Sequence, residues 1–127
     1  MSVTYDAGAL IAVDRDDPLM FARHRQAVVR GVVPVVPAPV IWQVWRDGAK
    51  QARLARFLKS CWVEPVDDDS ARDAGVLLGR TGTLDGVDAA VVLSAQRRGG
   101  LVYTSDPDDL GLLAGYLGKA TFVIHHV

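Results

Sequence analysis

The chain has 127 residues, the usual span of one domain, and half of them are apolar with 23% charged, which supports a packed core and argues against disorder. Fourteen basic residues against fifteen acidic ones leave a net charge of −1, so no global basic field exists and any nucleic-acid contact must be local. The lone Cys61 cannot form an internal disulfide, the opening MSVTYDAGALIAVDRDD has no basic leader, and no apolar run approaches the roughly 20 residues of a membrane span. These features predict one soluble, cytoplasmic domain over residues 1–127.

Val3-Thr4-Tyr5 is a strand-like run that ends at Asp6 and leads into the helical pattern AGALIAVD. A second helix is predicted from Pro18, a favoured first-turn residue, to Gly31, a natural stop. VVPVV is β-branched and reads as a strand. From Pro39 the pattern is helical, with Val40, Ile41, Val44 and Trp45 on one side, until Asp47-Gly48 breaks it. QARLARFLKS is a further helix, CWVEPV a strand and SARDAGVLLGRTG a helix capped from within Asp67 to Ser70. Asp85-Gly86-Val87-Asp88 opens AAVVLSAQRR, which is apolar almost all round and therefore reads as buried. LVYTS is a strand, DDLGLLAGYLG a helix and ATFVIHHV the last strand. Five strands alternating with helices predict an α/β/α sandwich around a mainly parallel sheet, in which residues at the carboxyl ends of strands line the ligand crevice.

Asp6 and Asp106 each follow a strand and precede a helix, and Asp88 lies in the first turn of the buried helix. In a parallel sheet all three can face one cleft. Clustered carboxylates repel one another unless a proton, a basic group or a metal intervenes. An all-oxygen set suits Mg²⁺ or Mn²⁺ better than zinc, and such an ion can activate water for phosphodiester hydrolysis. The competing reading is local: Asp6 and Asp106 can cap their helices, and Asp85 with Asp88 resembles a capping box. For Asp85 alone we keep the cap.

The run Val3-Thr4-Tyr5-Asp6-Ala7-Gly8-Ala9-Leu10-Ile11-Ala12 resembles the opening of a PIN domain, the nuclease domain of VapC-type toxins. Pro37-Ala38-Pro39-Val40-Ile41-Trp42-Gln43-Val44-Trp45-Arg46 resembles the second motif of that family. Val87-Asp88-Ala89-Ala90-Val91-Val92 and Val102-Tyr103-Thr104-Ser105-Asp106 resemble its third and fourth, in order and over essentially the whole chain. The resemblance implies a PIN-like fold and a Mg²⁺- or Mn²⁺-dependent endoribonuclease, the toxin of a toxin–antitoxin pair. It implies that Asp6 and Asp88 bind the metal and that Asp106 completes the acidic, catalytic set. Thr104 either hydrogen-bonds in that site or is an ordinary strand threonine. The partners implied are an RNA substrate, a cognate antitoxin and a second copy of the chain in a homodimer, with no membrane.

The second motif usually carries a glutamate where this chain has Gln43, so one negative charge is missing. Gln43 is expected to hydrogen-bond behind the metal ligands, with Asp47, at i+4 on the same helix, sharing its edge. The alternative is a weakly active or inactive PIN-like module that binds RNA or protein.

Between Arg46 and Lys59 five basic residues face Asp47 alone, a local charge of +4 suited to phosphates. Arg46, one turn from Gln43, is the candidate substrate contact. Trp42, Trp45 and Trp62 suggest base-stacking platforms, but two of them lie in a helix with other apolar residues, which favours packing in the core or a dimer interface. The three histidines offer no zinc pattern, and Cys61 no catalytic partner. Two other enzyme classes fail on named residues. A haloacid-dehalogenase-type phosphatase needs a second aspartate where Gly8 stands, and a response-regulator receiver needs a lysine after its last strand that this chain lacks.

Overall fold

In the computed structural model, which describes residues 1–127, five strands and seven helices follow the order the sequence predicts. The strands are β1 (Val3–Tyr5), β2 (Val35–Pro37), β3 (Trp62–Glu64), β4 (Gly100–Thr104) and β5 (Phe122–His126). The helices are α1 (Ala7–Asp14), α2 (Pro18–Val29), α3 (Ala38–Val44), α4 (Ala52–Leu58), α5 (Asp68–Thr81), α6 (Gly86–Arg98) and α7 (Pro107–Ala114). The strands pair in the order β3-β2-β1-β4-β5, and every pairing is parallel. Parallel neighbours need crossovers, and crossovers are right-handed. Strands added outward on opposite sides of β1 therefore place α1–α4 on one face and α5–α7 on the other. Most helix contacts divide in the same way, with α1 against α2, α3 and α4, and α6 against α5 and α7, while α3 also meets α6. The result is the three-layer α/β/α sandwich expected.

Both faces of the sheet are covered, so the inner strands are apolar on both sides. Tyr5, Val36 and Val102 are fully buried, and they join Leu10, Val13, Leu54, Val91, Val92 and Leu110 in one core. In β1, Thr4 is also fully buried, and its hydroxyl has no hydrogen-bond partner. An unmet buried hydroxyl is costly. Thr4→Val, which keeps the shape, is expected to stabilise the protein by about 1 kcal/mol, read as a higher denaturation midpoint in urea.

His24 of α2 ties the first helical layer together. Ser60 Oγ donates to Phe57 O at 2.7 Å, so it accepts from His24 Nε2 at 2.6 Å, which leaves Nδ1 to accept the Tyr5 hydroxyl at 2.9 Å. Every polar atom of that chain is paired, and burial pushes the His24 pKa down. Cys61 is half-buried beside it, with its thiol pushed up to about 12, which makes it an inert packing group.

One helix is shorter than its pattern predicts. α3 stops at Val44, Trp45 is already extended, and Asp47 caps a single 3₁₀ turn at Gly48–Lys50. The buried amide of Gln51 causes the stop. Its Oε1 accepts from Arg46 N (2.8 Å) and Asp47 N (3.0 Å), and its Nε2 donates to Val44 O (2.9 Å) and Asp14 Oδ2 (3.2 Å). Asp47 therefore does not share a helical edge with Gln43.

Candidate active site

The strand order reverses direction between β1 and β4, because β2 and β3 were added on one side of β1 and β4 and β5 on the other. At such a point the two flanking connections leave to opposite faces and open a crevice beyond the carboxyl ends of the strands. Asp6 follows β1 there, and Asp106 follows β4 after one intervening serine.

Asp6 is buried and caps α1 from an extended backbone, its Oδ1 accepting from Ala7 N at 2.7 Å. Its other oxygen, Oδ2, accepts the fully buried Thr104 hydroxyl at 2.7 Å. Thr104 Oγ1 in turn accepts from Asp106 N at 3.0 Å. One hydroxyl thus fastens the end of β1 to the end of β4 and sets the position of both acids. Thr104 is a hydrogen-bonding member of this site and not an ordinary strand residue.

Gly8 makes the approach possible. A Cβ on it would lie 2.6 Å from the backbone nitrogen of Ser105, so only glycine lets the segment carrying Asp106 pass this close to α1. Gly8→Ala is expected to cost about 1–3 kcal/mol through overpacking and to displace Asp106, read together as a lower melting temperature and reduced activity.

The capping readings separate on the geometry. Asp6 caps its helix, whereas the Asp106 carboxylate makes no cap hydrogen bond and is exposed. Asp85 caps α6, its Oδ1 accepting from Asp88 N at 3.0 Å. The reciprocal half of a capping box is missing, because Asp85 N donates to Thr83 Oγ1 instead. That leaves the buried Asp88 carboxylate without a capping duty. It faces a cavity of about 130 Å³ lined by Thr83, Asp85, Asp88, Asp109, Leu112 and Leu113.

Asp109 is the acid that the sequence reading missed. It stands three residues after Asp106 on the first turn of α7, so the two share a helical face, and that spacing is the signal that would have found it.

Charge is concentrated here without compensation. Burial pushes the Asp6 carboxyl above its ordinary range, with the charges of Asp106 and Asp85 adding to the rise and the Thr104 and Ala7 hydrogen bonds opposing it. Asp88 is pushed up to about 7, first by burial and then by Asp85, Asp6 and Asp109. The four ion pairs of the protein join Arg53 to Asp16, Arg72 to Asp68, and Arg97 and Arg98 to Glu64, so no cation neutralises the cluster. No three of its acids stand close enough to form a ready-made metal cage. A divalent ion here would rest on at most two of these carboxylates, with waters and substrate phosphates completing its shell, as the chemistry of Mg²⁺ allows.

Neither remaining candidate is hydrogen-bonded to these acids. Gln43 is half-buried on α3 and forms no hydrogen bond with the acids. The Arg46 guanidinium donates to Trp42 O (2.9 Å) and Trp45 O (2.8 Å), closing the end of α3. Trp45 packs against the core, but Trp42 does not enter it and is exposed.

No protein-family model matches the chain, and no curated protein matches it either. Among solved structures it resembles a chain in the crystal structure of VapBC2 from Rickettsia felis bound to a DNA fragment from their promoter. The TM-score is 0.70 at 10% sequence identity, covering 100% of this chain and 99% of that one. The two share a fold from end to end. No helix is long and apolar enough to cross a membrane.

Proposed function

We propose that this chain is a Mg²⁺- or Mn²⁺-dependent endoribonuclease, the toxin member of a toxin–antitoxin pair. The observation that carries the reading is the pair of buried acids Asp6 and Asp88, with no cation against either, at the strand-order reversal with Asp106 beside them. A structural carboxylate finds a cation or a set of hydrogen bonds. Asp88 has no cation, and the side chain its carboxyl meets is a further acid, Asp85, so a site that concentrates acids at this cost is arranged for a positive ligand.

Asp6 and Asp88 would hold the metal, with Asp106 and Asp109 at the open side. The ion supplies charge neutralisation at the phosphate and acidifies water. The chain supplies the geometry. The Thr104 hydroxyl favours the Asp6 carboxylate and fixes it, Gly8 admits the Asp106 segment, and Asp106, free of capping, would orient a water or accept its proton. In-line displacement would leave a 5′-phosphate and a 3′-hydroxyl.

The four motif resemblances, together with a fold shared with a chain of the VapBC2 complex, support an antitoxin as partner. An antitoxin and a second copy of the chain would cover exposed apolar side chains such as Leu84 and Val29. A PIN-like module that binds without cutting is the second reading, favoured by the neutral Gln43, which brings neither a charge nor a hydrogen bond to the acids. Purified, antitoxin-free protein incubated with a mixed RNA pool in Mg²⁺, Mn²⁺ or EDTA decides between them. Cutting in either metal that stops in EDTA supports the nuclease; a folded sample that never cuts leaves the binding module.

A further inference from the structure

The small net charge conceals a division. Residues 7–61, which hold α1–α4, carry nine basic and four acidic side chains, whereas residues 64–119, which hold α5–α7, carry five basic and ten acidic ones. The two sets lie on opposite faces of the sheet, and the crevice with Asp6, Asp88 and Asp106 opens along the edge between them. A polyanion entering that crevice is drawn to the α1–α4 side. It is repelled from the α5–α7 side, where Asp67, Asp68, Asp69 and Asp73 are all exposed.

On the favoured side the surplus is concentrated along α2. No acid occurs from Pro18 to Arg46, and none occurs within β1, β4 or β5. Arg23 and Arg30 stand seven residues, and so about two turns, apart on one side of α2. That side faces the sheet, because both arginines line a small hollow with Met1, Val3, Leu101 and Tyr103. Arg23 lies over the Tyr103 ring, 5.4 Å from its centre, and donates to Nε2 of the exposed His125 at 3.3 Å. Neither arginine belongs to any of the four ion pairs.

The same helix leads away from the acids. Its cap, Asp17, shares a cavity with Gly8 and with Ser105, the neighbour of Asp106, so α2 starts at the crevice and runs toward the amino ends of β1 and β4. Arg15 and Asp17 offset each other in that cavity. The uncancelled charge begins at Arg23, roughly 9 Å farther along the helix axis, and continues to Arg30, roughly 20 Å along it. A phosphodiester backbone, whose charges repeat along one thread, matches spaced cations on an open surface. The exposed Val29, about a third of a turn round the helix, is left for a protein partner.

We propose that the RNA strand leaves the acids along α2, its phosphates held by Arg23 and Arg30, and stays clear of the acidic α5–α7 side. That the polyanion is RNA rests on the nuclease reading; the choice of face rests on the charges alone.

The test measures binding of a fluorescent single-stranded RNA, long enough to span α2, as a function of salt and in EDTA so that nothing is cut. Replacing both arginines, Arg23→Gln with Arg30→Gln, is expected to weaken binding at low salt by about 3- to 30-fold. It should also reduce the slope of log K against log salt by about 1.4, or about 0.7 for each lost phosphate contact. Arg30→Gln alone, which leaves the Arg23–Tyr103 contact in place, should give half of that slope change. Arg72→Gln with Arg80→Gln removes the same charge from α5 and is expected to leave affinity within about twofold. An unchanged slope in the folded α2 variants overturns the proposal, as does an equal loss in the α5 variant. So does unchanged RNA affinity with altered sedimentation, which makes the ridge a contact between protein chains. Failure of the nuclease reading looks different: intact protein in Mg²⁺ cuts nothing, while the arginine-dependent salt slope persists and still supports this face.

Discussion

Asp88→Asn is expected to abolish RNA cleavage while raising the stability of the fold. Most substitutions at a buried position destabilise, so the opposite sign is informative. Asp88 is buried beside Asp85, Asp6 and Asp109, no basic group meets it, and its carboxyl is pushed up to about 7. Above that pH the native state holds a charge that the unfolded chain would carry in water at little cost. The amide has the same shape without the charge. In EDTA at pH 8 the gain is expected to be about 1–2 kcal/mol after allowance for solvent screening, a rise in melting temperature of roughly 3–8 °C. Cleavage is expected to fall by at least about 10²- to 10³-fold, the scale for removing an electrostatic group from a catalytic site. A melting scan and a cleavage assay on the same preparation check both halves. Retained cutting removes Asp88 from the reaction, and a lowered melting temperature contradicts the uncompensated charge.

The fold was legible wherever a local rule governed the element. Asp17 before Pro18, Asp67 before Asp68 and Asp85 before Gly86 cap their helices through side-chain hydrogen bonds, as residue type and position predict. The misreadings have tertiary causes. VVPVV predicts a strand from Val32, but Val32 N is spent on Ala27 O, closing α2 after Gly31 turns through φ +76°, and pairing begins only at Val35. α3 ends early because Gln51, seven residues beyond Val44, takes the backbone groups that would continue it. Periodicity cannot register a side chain that returns from another segment.

The site divides along the same line. Asp6 and Asp106 were visible because strand ends in a parallel sheet share an edge, and Asp88 because an acid stood at the head of an apolar helix. Asp109 was not, because Asp108-Asp109 in a first turn reads as an ordinary response to the helix dipole. Only the packing of α7 on α6 sets one of the pair against Asp88. Trp42 and Trp45, expected in the core or an interface, divide: Trp45 packs against the core, whereas α3 turns Trp42 outward.

Stability should also depend on pH and on divalent cations in a linked way. For Asp6 and Asp88 the folded pKa lies above the unfolded one. Their contribution is complete below about pH 4 and is lost as pH rises, for Asp88 through about 7. His24 has the opposite sign: its folded pKa is depressed, so its contribution is present above about 6.5 and lost as pH falls. As pH falls from 8 toward 7, Asp88 takes up its proton in the folded state while the unfolded chain's His24 is still mostly neutral, and in EDTA the melting temperature is expected to climb through that window. Asp88→Asn should flatten the climb. A cation held by the same carboxylates replaces the proton, so Mg²⁺ at ten times its dissociation constant should add about 1.4 kcal/mol at pH 8. That increment should shrink toward pH 6, where protons compete for the same oxygens. Melting curves at pH 6, 7 and 8 with EDTA or Mg²⁺ separate the cases. A Mg²⁺ increment of equal size at all three pH values, or one that survives in Asp88→Asn, would place the ion elsewhere on the protein.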